Sequence, residues 1–192
     1  MNAVIFNGSP ANGQGTVSHR VREAAARELG SLGWTVKVFD LEAMNIKPCR
    51  GCFACWLKHP GTCAIQDDEE EILKAMASQD VALWISPVTF GGYASTLKKA
   101  LDRAIPILLP FFIVMHGEIH HPQRYPRARR LLAVGTLEAS NAEAERIFTT
   151  LVKRNALNLQ AVRTESAFIY ERTGDAEIAA RIKNLIRAAE IA

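Results

Sequence analysis

Short apolar runs alternate along the chain with longer segments in which apolar residues recur every three or four positions. Four runs are rich in β-branched or aromatic side chains, which is typical of strands, and they cover residues 3–6, 36–39, 81–85 and 131–134. A fifth, more polar run covers residues 159–168, and helical spacing is clearest over residues 17–32 and 178–186. This alternation predicts right-handed βαβ units around a parallel sheet, and therefore an α/β fold.

The polarity of each run predicts where its strand lies in the sheet. Parallel strands that are covered on both faces become continuously apolar, whereas edge strands keep polar positions. The first, third and fourth runs are continuously apolar, but the second contains Thr35 and Lys37 and the fifth contains Gln160 and Arg163. The pattern predicts a doubly wound, five-stranded parallel sheet in the flavodoxin-like order 2-1-3-4-5. In that order a ligand binds beyond the carboxyl ends of strands one and three, where the winding reverses.

Composition narrows the class of protein. The 192 residues fit one domain, residues 1–192, and 48% hydrophobic with 22% charged residues excludes a disordered chain. A net charge of +3 is too small for the basic surface of a dedicated nucleic-acid binder. The longest apolar stretch, residues 105–115, is shorter than the ~20 residues that span a bilayer, and residues 3–6 follow no charged segment. We expect a cytoplasmic protein without a targeting segment and without nucleic-acid or membrane partners.

The loop after the first predicted strand, residues 7–16, is rich in Gly, Ser and Thr and leads directly into a helix. Backbone N–H groups and hydroxyls of such a loop can bind a phosphate, helped by the positive end of the helix dipole. A dinucleotide fingerprint would need glycine where Pro10 stands, and a P-loop would need lysine where Gln14 stands. The spacing therefore disfavours NAD and ATP as ligands of this loop. A plain strand-to-helix turn is the alternative.

The loop after the third predicted strand, residues 86–93, combines a proline, paired glycines and two aromatic residues. Gly91 and Gly92 let the backbone approach a flat ligand closely, and Phe90 and Tyr93 could stack on it. Loops of this composition often only reverse the chain direction. The position of this loop beside the first one, at the predicted switch point, favours a site for a planar ring system.

All four cysteines of the chain lie in a loop over residues 48–64 with the spacing C-x2-C-x2-C-x7-C: Cys49, Cys52, Cys55 and Cys63. Cytoplasmic proteins seldom use cysteines as structural disulfides, so metal or redox chemistry is the favoured interpretation. Three thiolates at this spacing can bind one face of a 4Fe-4S cluster while a fourth completes it from a longer loop. Two alternatives stay open, namely reactive or disulfide-forming thiols without metal and a tetrahedral zinc site.

Three motifs occur at the loops described above and in the helix that follows them. They are Asn7-Gly8-Ser9-Pro10 with Gly15-Thr16, then residues 86–92, then Leu97-Lys98-Lys99-Ala100-Leu101-Asp102-Arg103. In these motifs the chain resembles the NADPH-dependent FMN reductase family of flavodoxin-like proteins, and its cysteine segment resembles the iron-sulfur flavoprotein branch. The resemblance covers about residues 1–135. The chain departs from the family at Ala11, where Arg is frequent, and at Gly15, where Asn is frequent, which predicts weaker phosphate binding or another source of positive charge.

The resemblance assigns cofactor-binding residues of this chain and implies FMN as the cofactor. On the phosphate side the residues are Ser9, Pro10, Gly15, Thr16 and Val17. Along the isoalloxazine ring they are Pro87, Val88, Thr89, Phe90, Gly91 and Gly92. The resemblance further implies that Cys49, Cys52, Cys55 and Cys63 bind one 4Fe-4S cluster. No side chain is assigned as a catalytic acid or base.

The expected function is that of an FMN-dependent oxidoreductase. It would pass electrons from a reduced donor such as NAD(P)H to a small-molecule or protein acceptor, with the cysteine cluster as a one-electron relay. A cluster-free NAD(P)H-dependent flavin, quinone or nitro-compound reductase is the alternative among enzymes. A non-catalytic electron carrier or a zinc-stapled interaction module is the alternative from another class, since a fold does not fix a function.

Three further segments carry expectations of their own. Residues 105–113 are broken by proline and too apolar to lie bare in water, so we expect them to cover the flavin or to join subunits of a homodimer or homotetramer. Packing within one subunit is the alternative for this segment. The acidic residues 67–71 are expected to favour the start of a helix. His116, His120 and His121 are expected in a solvated loop or a subunit contact rather than at a metal.

Overall fold

The computed structural model describes residues 1–9 and 15–190. Its strands are β1 Asn2–Asn7, β2 Thr35–Asp40, β3 Val81–Thr89, β4 Gly92–Tyr93, β5 Ile113–Met115, β6 Glu118–His120, β7 Arg130–Leu137 and β8 Arg163–Tyr170. Its α-helices are α1 Val17–Ser31, α2 Ala54–Leu57, α3 Glu69–Ser78, α4 Ser95–Asp102, α5 Ala142–Asn158 and α6 Asp175–Glu190. Short 3₁₀ turns cover Leu41–Ala43 and Ile105–Ile107.

The five long strands form one parallel sheet in the order β2-β1-β3-β7-β8. The α/β class and the mostly parallel sheet are confirmed. The strand count differs from the prediction, because β4 pairs with β3 in antiparallel fashion and β5 and β6 form a separate hairpin. These three strands contain only two or three residues each, too few to produce an apolar run. Polar positions do mark the sheet edges, since β2 is largely exposed and β8 only half-buried.

Two apolar cores cover the two faces of the sheet, because successive side chains of a strand point to opposite faces. Ile5 and Leu83 pack in the core under α1 and α6, whereas Phe6 and Trp84 pack in the core under α3, α4 and α5. All four side chains are almost completely buried, and each such burial stabilises the fold by about 1.5–3 kcal/mol. Across residues 1–9 and 15–190, no helix has both the length and the apolarity needed to cross a membrane.

The apolar segment at residues 105–113 divides between the core and the surface. Ile107 is buried in the core of the same subunit, whereas Phe111 and Phe112 are exposed. The expectation that this segment covers the flavin or joins another subunit is therefore wrong for Ile107. The sequence shows that the segment is apolar, but it does not show which of its side chains enter the core and which lie on the surface.

The β5–β6 hairpin contains His116 and His120, and His121 directly follows it; all three were expected in a solvated loop or a subunit contact. His120 contradicts that expectation, because it is buried with Nδ1 3.0 Å from the Asn158 amide oxygen and Nε2 3.2 Å from Glu118. Arg154 donates hydrogen bonds to both oxygens of the same Glu118 carboxylate. The network fixes the hairpin to α5, so His120 has a structural role within one subunit.

Candidate functional site

The loops after β1 and β3 begin side by side at one edge of the sheet. Asn7 at the end of β1 pairs in register with Ile85 of β3, and the Gly8 N–H donates to the Ile85 carbonyl at 2.8 Å. A Cβ at Gly8 would lie 2.8 Å from the Leu97 Cβ atom, so only glycine fits between β1, β3 and α4. We call this edge, with Ser9, the start of α1 and residues 86–92, the rim. It is the switch point at which doubly wound sheets bind ligands.

Side chains at the ends of β1 and β2 hold Ser9 at the rim. The Asn7 amide oxygen accepts hydrogen bonds from the Ser9 N–H at 3.2 Å and from the Ser9 hydroxyl at 2.7 Å. The Asn7 amide nitrogen donates to Asp40 at 2.8 Å, and Arg22 donates to the other Asp40 oxygen at 2.6 Å. Ser9 is buried and its hydroxyl is oriented by these contacts. Sequence reasoning missed Asn7 and Asp40 as supports, although both end predicted neighbouring strands.

The start of α1 forms the other side of the phosphate-type loop. Gly15 has a φ of +89°, with no atom of the described residues within 4 Å of a Cβ placed there, and Thr16 caps the helix by accepting from the His19 N–H at 3.4 Å. Val17 is the first residue of α1, whose leading N–H groups point out of the helix end and carry its positive dipole. Pro10, which was predicted to contact the cofactor, lies outside the described residues.

The second loop of the rim is a β-hairpin between β3 and β4. Thr89 pairs with Gly92, and the turn between them has φ values of 50° at Phe90 and 77° at Gly91. Positive φ at both positions is the type I′ pattern, which favours Asn-Gly and strains a phenylalanine by about 1–3 kcal/mol. The Phe90 side chain is fully exposed. Backbone strain of this kind often occurs at ligand-binding and active sites.

Tyr93 does not have the role that was predicted for it beside Phe90. It is buried, its hydroxyl accepts a hydrogen bond from Asn155 at 3.0 Å, and its ring packs edge-on against Trp84 and Phe148. Burial raises the pKa of Tyr93 above its ordinary value, so the phenol stays protonated. The idea that Tyr93 stacks on a flat ligand is therefore wrong, and Phe90 is the exposed aromatic side chain of this loop.

The cysteine loop folds around one pocket. All four thiols line it together with Arg103 and Pro106; they are Cys49, Cys52, Cys55 and Cys63. Cys55 is buried, Cys63 is half-buried and the other two are exposed. Burial, together with the negative charges of the neighbouring thiolates, raises the pKa of Cys55. The cysteines are therefore close enough to interact electrostatically.

In the described residues the four thiols line a pocket without converging on one point. Among the described residues, no three His, Cys, Asp or Glu side chains converge as they would around a single bound ion. A mononuclear zinc site would need four ligands within about 2.3 Å of one point. Two of the sulfurs accept hydrogen bonds from backbone N–H groups: Cys49 from Gly51 at 3.4 Å and Cys63 from Ile65 at 3.5 Å.

A buried ion pair joins the two ends of the cysteine loop. Arg103 pairs with Asp67, and its guanidinium also donates to the carbonyls of Lys47 and Ile65, each at 3.1 Å. Burial by itself would raise the pKa of Asp67, but hydrogen bonds from Arg103 and from the backbone lower it. Both side chains are almost completely buried. The sequence suggested only a favourable helix start for Asp67, and its role as the partner of Arg103 was missed.

Glu69 lies beside this ion pair and was also missed. Its side chain is fully buried, and within the described structure neither carboxylate oxygen has a hydrogen-bond partner. Burial raises the pKa of Glu69 to about 8, although the nearby Arg103 opposes the shift. The carboxyl group is therefore mostly protonated at neutral pH.

Two further features surround the cysteine pocket. The Trp56 indole N–H donates to the carbonyls of Ile105 and Leu108 at 3.2 and 3.0 Å, which fixes α2 to the segment that follows α4. Cys63 also lies on the wall of a larger cavity of about 520 Å³, which Leu73 and Tyr125 line from other parts of the chain. This volume is in the range of small-molecule sites.

Solved structures with similar folds cover nearly the whole chain. An NAD(P)H:quinone oxidoreductase from Methanothermobacter marburgensis aligns with a TM-score of 0.67 and 13% identity over 96% of both chains. An FMN-dependent NADH-azoreductase from Bacillus anthracis, solved with FMN, aligns with a TM-score of 0.66 and 15% identity over 99% of this chain and 98% of the other. At these identities the likeness shows the fold alone.

Curated relatives are similar at the level of sequence. An iron-sulfur flavoprotein from Methanocaldococcus jannaschii is 36% identical over 111 residues, which are 58% of this chain and 55% of the relative. One from Archaeoglobus fulgidus is 34% identical over 104 residues, which are 54% and 49% of the two chains. The chain thus spans about half the length of the curated relatives it matches. Residues 1–107, which include the rim and the cysteine loop, match the family model for NADPH-dependent FMN reductase, and the chain belongs to that family.

Proposed function

We propose that this chain is an FMN-dependent oxidoreductase that takes electrons from a reduced donor such as NAD(P)H and passes them to a small-molecule or protein acceptor. The observation that carries the proposal is the rim, where a phosphate-type loop and a flat hairpin loop begin on the paired strands β1 and β3. Membership of the FMN reductase family supports the same ligand. The unit that does this would be one flavodoxin-like domain.

The residues of the rim fit FMN. Ser9 and the start of α1 at Gly15, Thr16 and Val17 would hold its phosphate with hydroxyl and N–H donors, and Pro10 would complete that side. The isoalloxazine ring would lie along the second loop, whose residues are Pro87, Val88, Thr89, Phe90, Gly91 and Gly92. Bound FMN supplies hydride and one-electron chemistry. The chain would bind and orient the cofactor without a catalytic acid or base of its own.

The buried cluster behind Ser9 supports the phosphate assignment. Asn7 accepts both hydrogen bonds of Ser9 and is itself fixed by Asp40, so the hydroxyl is held at one place before any ligand binds. Because both Ser9 hydrogens donate to Asn7, the hydroxyl has a fixed position at the rim, and it would donate to the phosphate by exchanging its bond to Asn7.

We propose a 4Fe-4S cluster in the cysteine pocket as the relay to the acceptor. In a cluster each thiolate binds a different iron, so the sulfurs need to surround a pocket rather than converge on a point. The four thiols of this chain line one pocket, and two of them accept N–H hydrogen bonds of the kind that tune cluster potentials. The curated relatives' names support the same interpretation. A cluster-free reductase is the second candidate, because the matched family is described as an FMN reductase and that description includes no cluster.

Absorption spectroscopy of anaerobically purified protein tests both proposals. Flavin bands with a broad visible shoulder, and iron and sulfide in equal amounts, would support FMN with a cluster. Flavin bands alone, even after anaerobic reconstitution with iron and sulfide, would support the cluster-free reductase. A chain that binds no FMN from an equimolar mixture would contradict the assignment of the rim. Anaerobic reduction by NADPH and by NADH, compared at equal concentration, identifies the donor.

We also propose that the chain forms a homodimer or homotetramer. Exposed apolar side chains lie close together in sequence at the end of the 105–113 segment and in the hairpin that follows; they are Phe111, Phe112, Val114 and Ile119. Exposed apolar groups of this size are typical of subunit contacts. Sedimentation at micromolar concentration tests this, and replacing Phe112 and Ile119 by Ser should shift the protein toward monomer. A parent chain that is already monomeric would contradict the proposal.

A further inference from the structure

We propose that Arg103 is a positioning residue for the cysteine pocket, acting as a clamp that holds the two ends of the cysteine loop together so that Cys49 and Cys63 face the same space. The inference refines the proposed cluster site, but it applies to the thiols with or without metal. It rests on the hydrogen bonds of one buried guanidinium to residues far apart in sequence.

The clamp acts at the neck of the loop, by which we mean the chain segments just before Cys49 and just after Cys63. One guanidinium nitrogen donates to the carbonyl of Lys47, two residues before Cys49, and the other donates to the carbonyl of Ile65, two residues after Cys63. Asp67 also stabilises the neck, because its negatively charged carboxylate pairs with Arg103 and accepts a hydrogen bond from the Lys47 N–H at 2.9 Å. The chain segments that enter and leave the cysteine loop are therefore both hydrogen-bonded to the Arg103–Asp67 ion pair.

Arg103 also contacts the thiol side of the pocket. It lines the pocket together with all four cysteines. The guanidinium is planar and carries several donors in a fixed fork, which lets one side chain hold two carbonyls and a carboxylate at once. A lysine ammonium keeps the charge but cannot reproduce that geometry.

The cost of burying the pair argues against a purely stabilising role. Buried ion pairs are often no more stabilising than apolar side chains of the same size, because desolvation offsets the attraction. The Arg103 and Asp67 side chains are 1% and 0% exposed. The ion pair instead fixes a geometry, because it holds the two ends of the cysteine loop together.

Cross-linking between Cys49 and Cys63 measures that closure directly. In a Cys52→Ser, Cys55→Ser background only these two thiols remain, and a short bifunctional maleimide joins them at a rate set by their effective concentration. We expect Arg103→Lys to lower the intramolecular cross-linking rate by at least about tenfold. The same should hold for Arg103→Met combined with Asp67→Leu, which removes the ion pair without leaving an unpaired buried charge.

Two controls separate positioning from general destabilisation. Val152→Ala weakens the core in α5 without touching the neck, and Arg127→Lys alters an exposed ion pair with Asp80. Both should cross-link like the parent, even where the unfolding midpoint of Val152→Ala falls below that of the Arg103 variants.

The outcomes are distinct. Slower cross-linking in both Arg103 variants, with parent-like controls, supports the clamp. A parent-like cross-linking rate in the double variant, in protein that circular dichroism shows to be folded, overturns the clamp. A parent-like rate in Arg103→Lys also overturns it, because the positive charge alone would then be sufficient without the planar guanidinium. None of these readouts uses FMN or iron, so a failure of the proposed function would leave the result interpretable. In the four-cysteine chain, the double variant should also retain less iron and sulfide after reconstitution.

Discussion

The rim and the cysteine loop start from neighbouring strand ends, but different interactions hold them. The rim is fixed by backbone pairing: β1 pairs with β3, Gly8 donates to Ile85, and the β3–β4 hairpin closes on its own hydrogen bonds. The cysteine loop has only a four-residue helix of its own, and the Arg103 side chain, 38 to 56 positions away in sequence, holds its two ends. The rim is therefore a product of the sheet, whereas the cysteine loop depends on a few buried polar contacts.

This contrast determines where substitutions should act. At the rim, a changed side chain should alter ligand binding while the sheet keeps the loop in place, except where it would collide with a neighbouring element, as a Cβ at Gly91 would with Ile147. Around the cysteine loop, a changed side chain should alter the arrangement of the thiols or the stability of the buried cluster that supports them. Four substitutions test that division, in decreasing order of their expected free-energy change.

Replacing Glu69 by Gln should remove a pH dependence of stability. The folded pKa of Glu69 is about 8, whereas an unfolded Glu titrates near its ordinary value of about 4.3. The stability linked to this group is therefore fully present below the unfolded pKa and is lost as pH rises through about 8. A difference of about 3.7 pKa units corresponds to about 5 kcal/mol.

Urea unfolding of the parent and of Glu69→Gln at pH 5, 7 and 9 measures this. The parent should lose stability relative to the variant as the pH rises across that range. Glu70→Gln is the matched control, because Glu70 is the next residue of the same helix but exposed and paired with Lys74. A parent and Glu69→Gln that respond equally to pH would show that the carboxyl group is not buried.

Introducing a negative charge at Ser9 should weaken FMN binding. The carboxylate that Ser9→Asp introduces would face the phosphate at close range, and we expect at least about a hundredfold loss of affinity, or about 2.7 kcal/mol. Ser31→Asp adds the same charge at the far end of α1 and should bind FMN like the parent. Fluorescence titration with FMN gives both constants. Equal affinity in Ser9→Asp and the parent would contradict the phosphate site.

The contrast between the two regions also explains how much of the site could be predicted. The rim follows from local signals, since continuous apolar runs predict interior strands and a Gly- and Ser-rich segment at a strand end predicts a ligand loop. The acidic run at 67–71 gave only the start of α3. Nothing local distinguishes the buried Asp67 and Glu69 from their exposed neighbours, and the partner of Asp67, Arg103, lies 36 positions away at the C-terminal end of α4.

Replacing Gly91 by Ala should destabilise the rim hairpin more than the same change in the other hairpin. Gly91 and Gly117 both occupy the second position of two-residue turns, with φ values of 77° and 80°. Their surroundings differ, because a Cβ at Gly91 would lie 2.7 Å from the Ile147 side chain, whereas Gly117 has open space. We expect a loss of about 1 kcal/mol for Gly117→Ala and roughly 2 kcal/mol for Gly91→Ala.

Denaturant unfolding of the two variants gives the difference. Ile147→Ala should reduce the excess cost in Gly91→Ala, since it removes the atoms that the new methyl group meets. Equal losses at the two glycines would mean that backbone strain alone sets the cost and that α5 does not constrain the rim.

Tyr93 and Phe90 show a limit of sequence reasoning at the rim itself. The two aromatic residues are three positions apart in one loop, and the sequence offered both as stacking partners of a ligand. Pairing of β4 with β3 turns Tyr93 into the core against Trp84 and leaves Phe90 in the turn. A two-residue strand produces no periodic signal, so the opposite fates of these side chains become visible only when the hairpin is built.

Replacing Cys52 by Ser should separate the two regions functionally. Cys52 is exposed in the cysteine loop, and no described hydrogen bond joins it to the rim, so FMN binding and reduction of the flavin by NADPH or dithionite should stay near the parent's values. Turnover with a one-electron acceptor should fall by at least about tenfold, or roughly 1.4 kcal/mol of barrier, because a cluster with one ligand changed relays electrons poorly. Thr62→Ser, in the same loop, is the control that keeps all four thiols. Stopped-flow reduction and steady-state turnover, measured on protein with confirmed metal content, give the two rates. Equal turnover in parent and Cys52→Ser would mean that the flavin works alone and that the cysteine loop, with its clamp, serves only the structure.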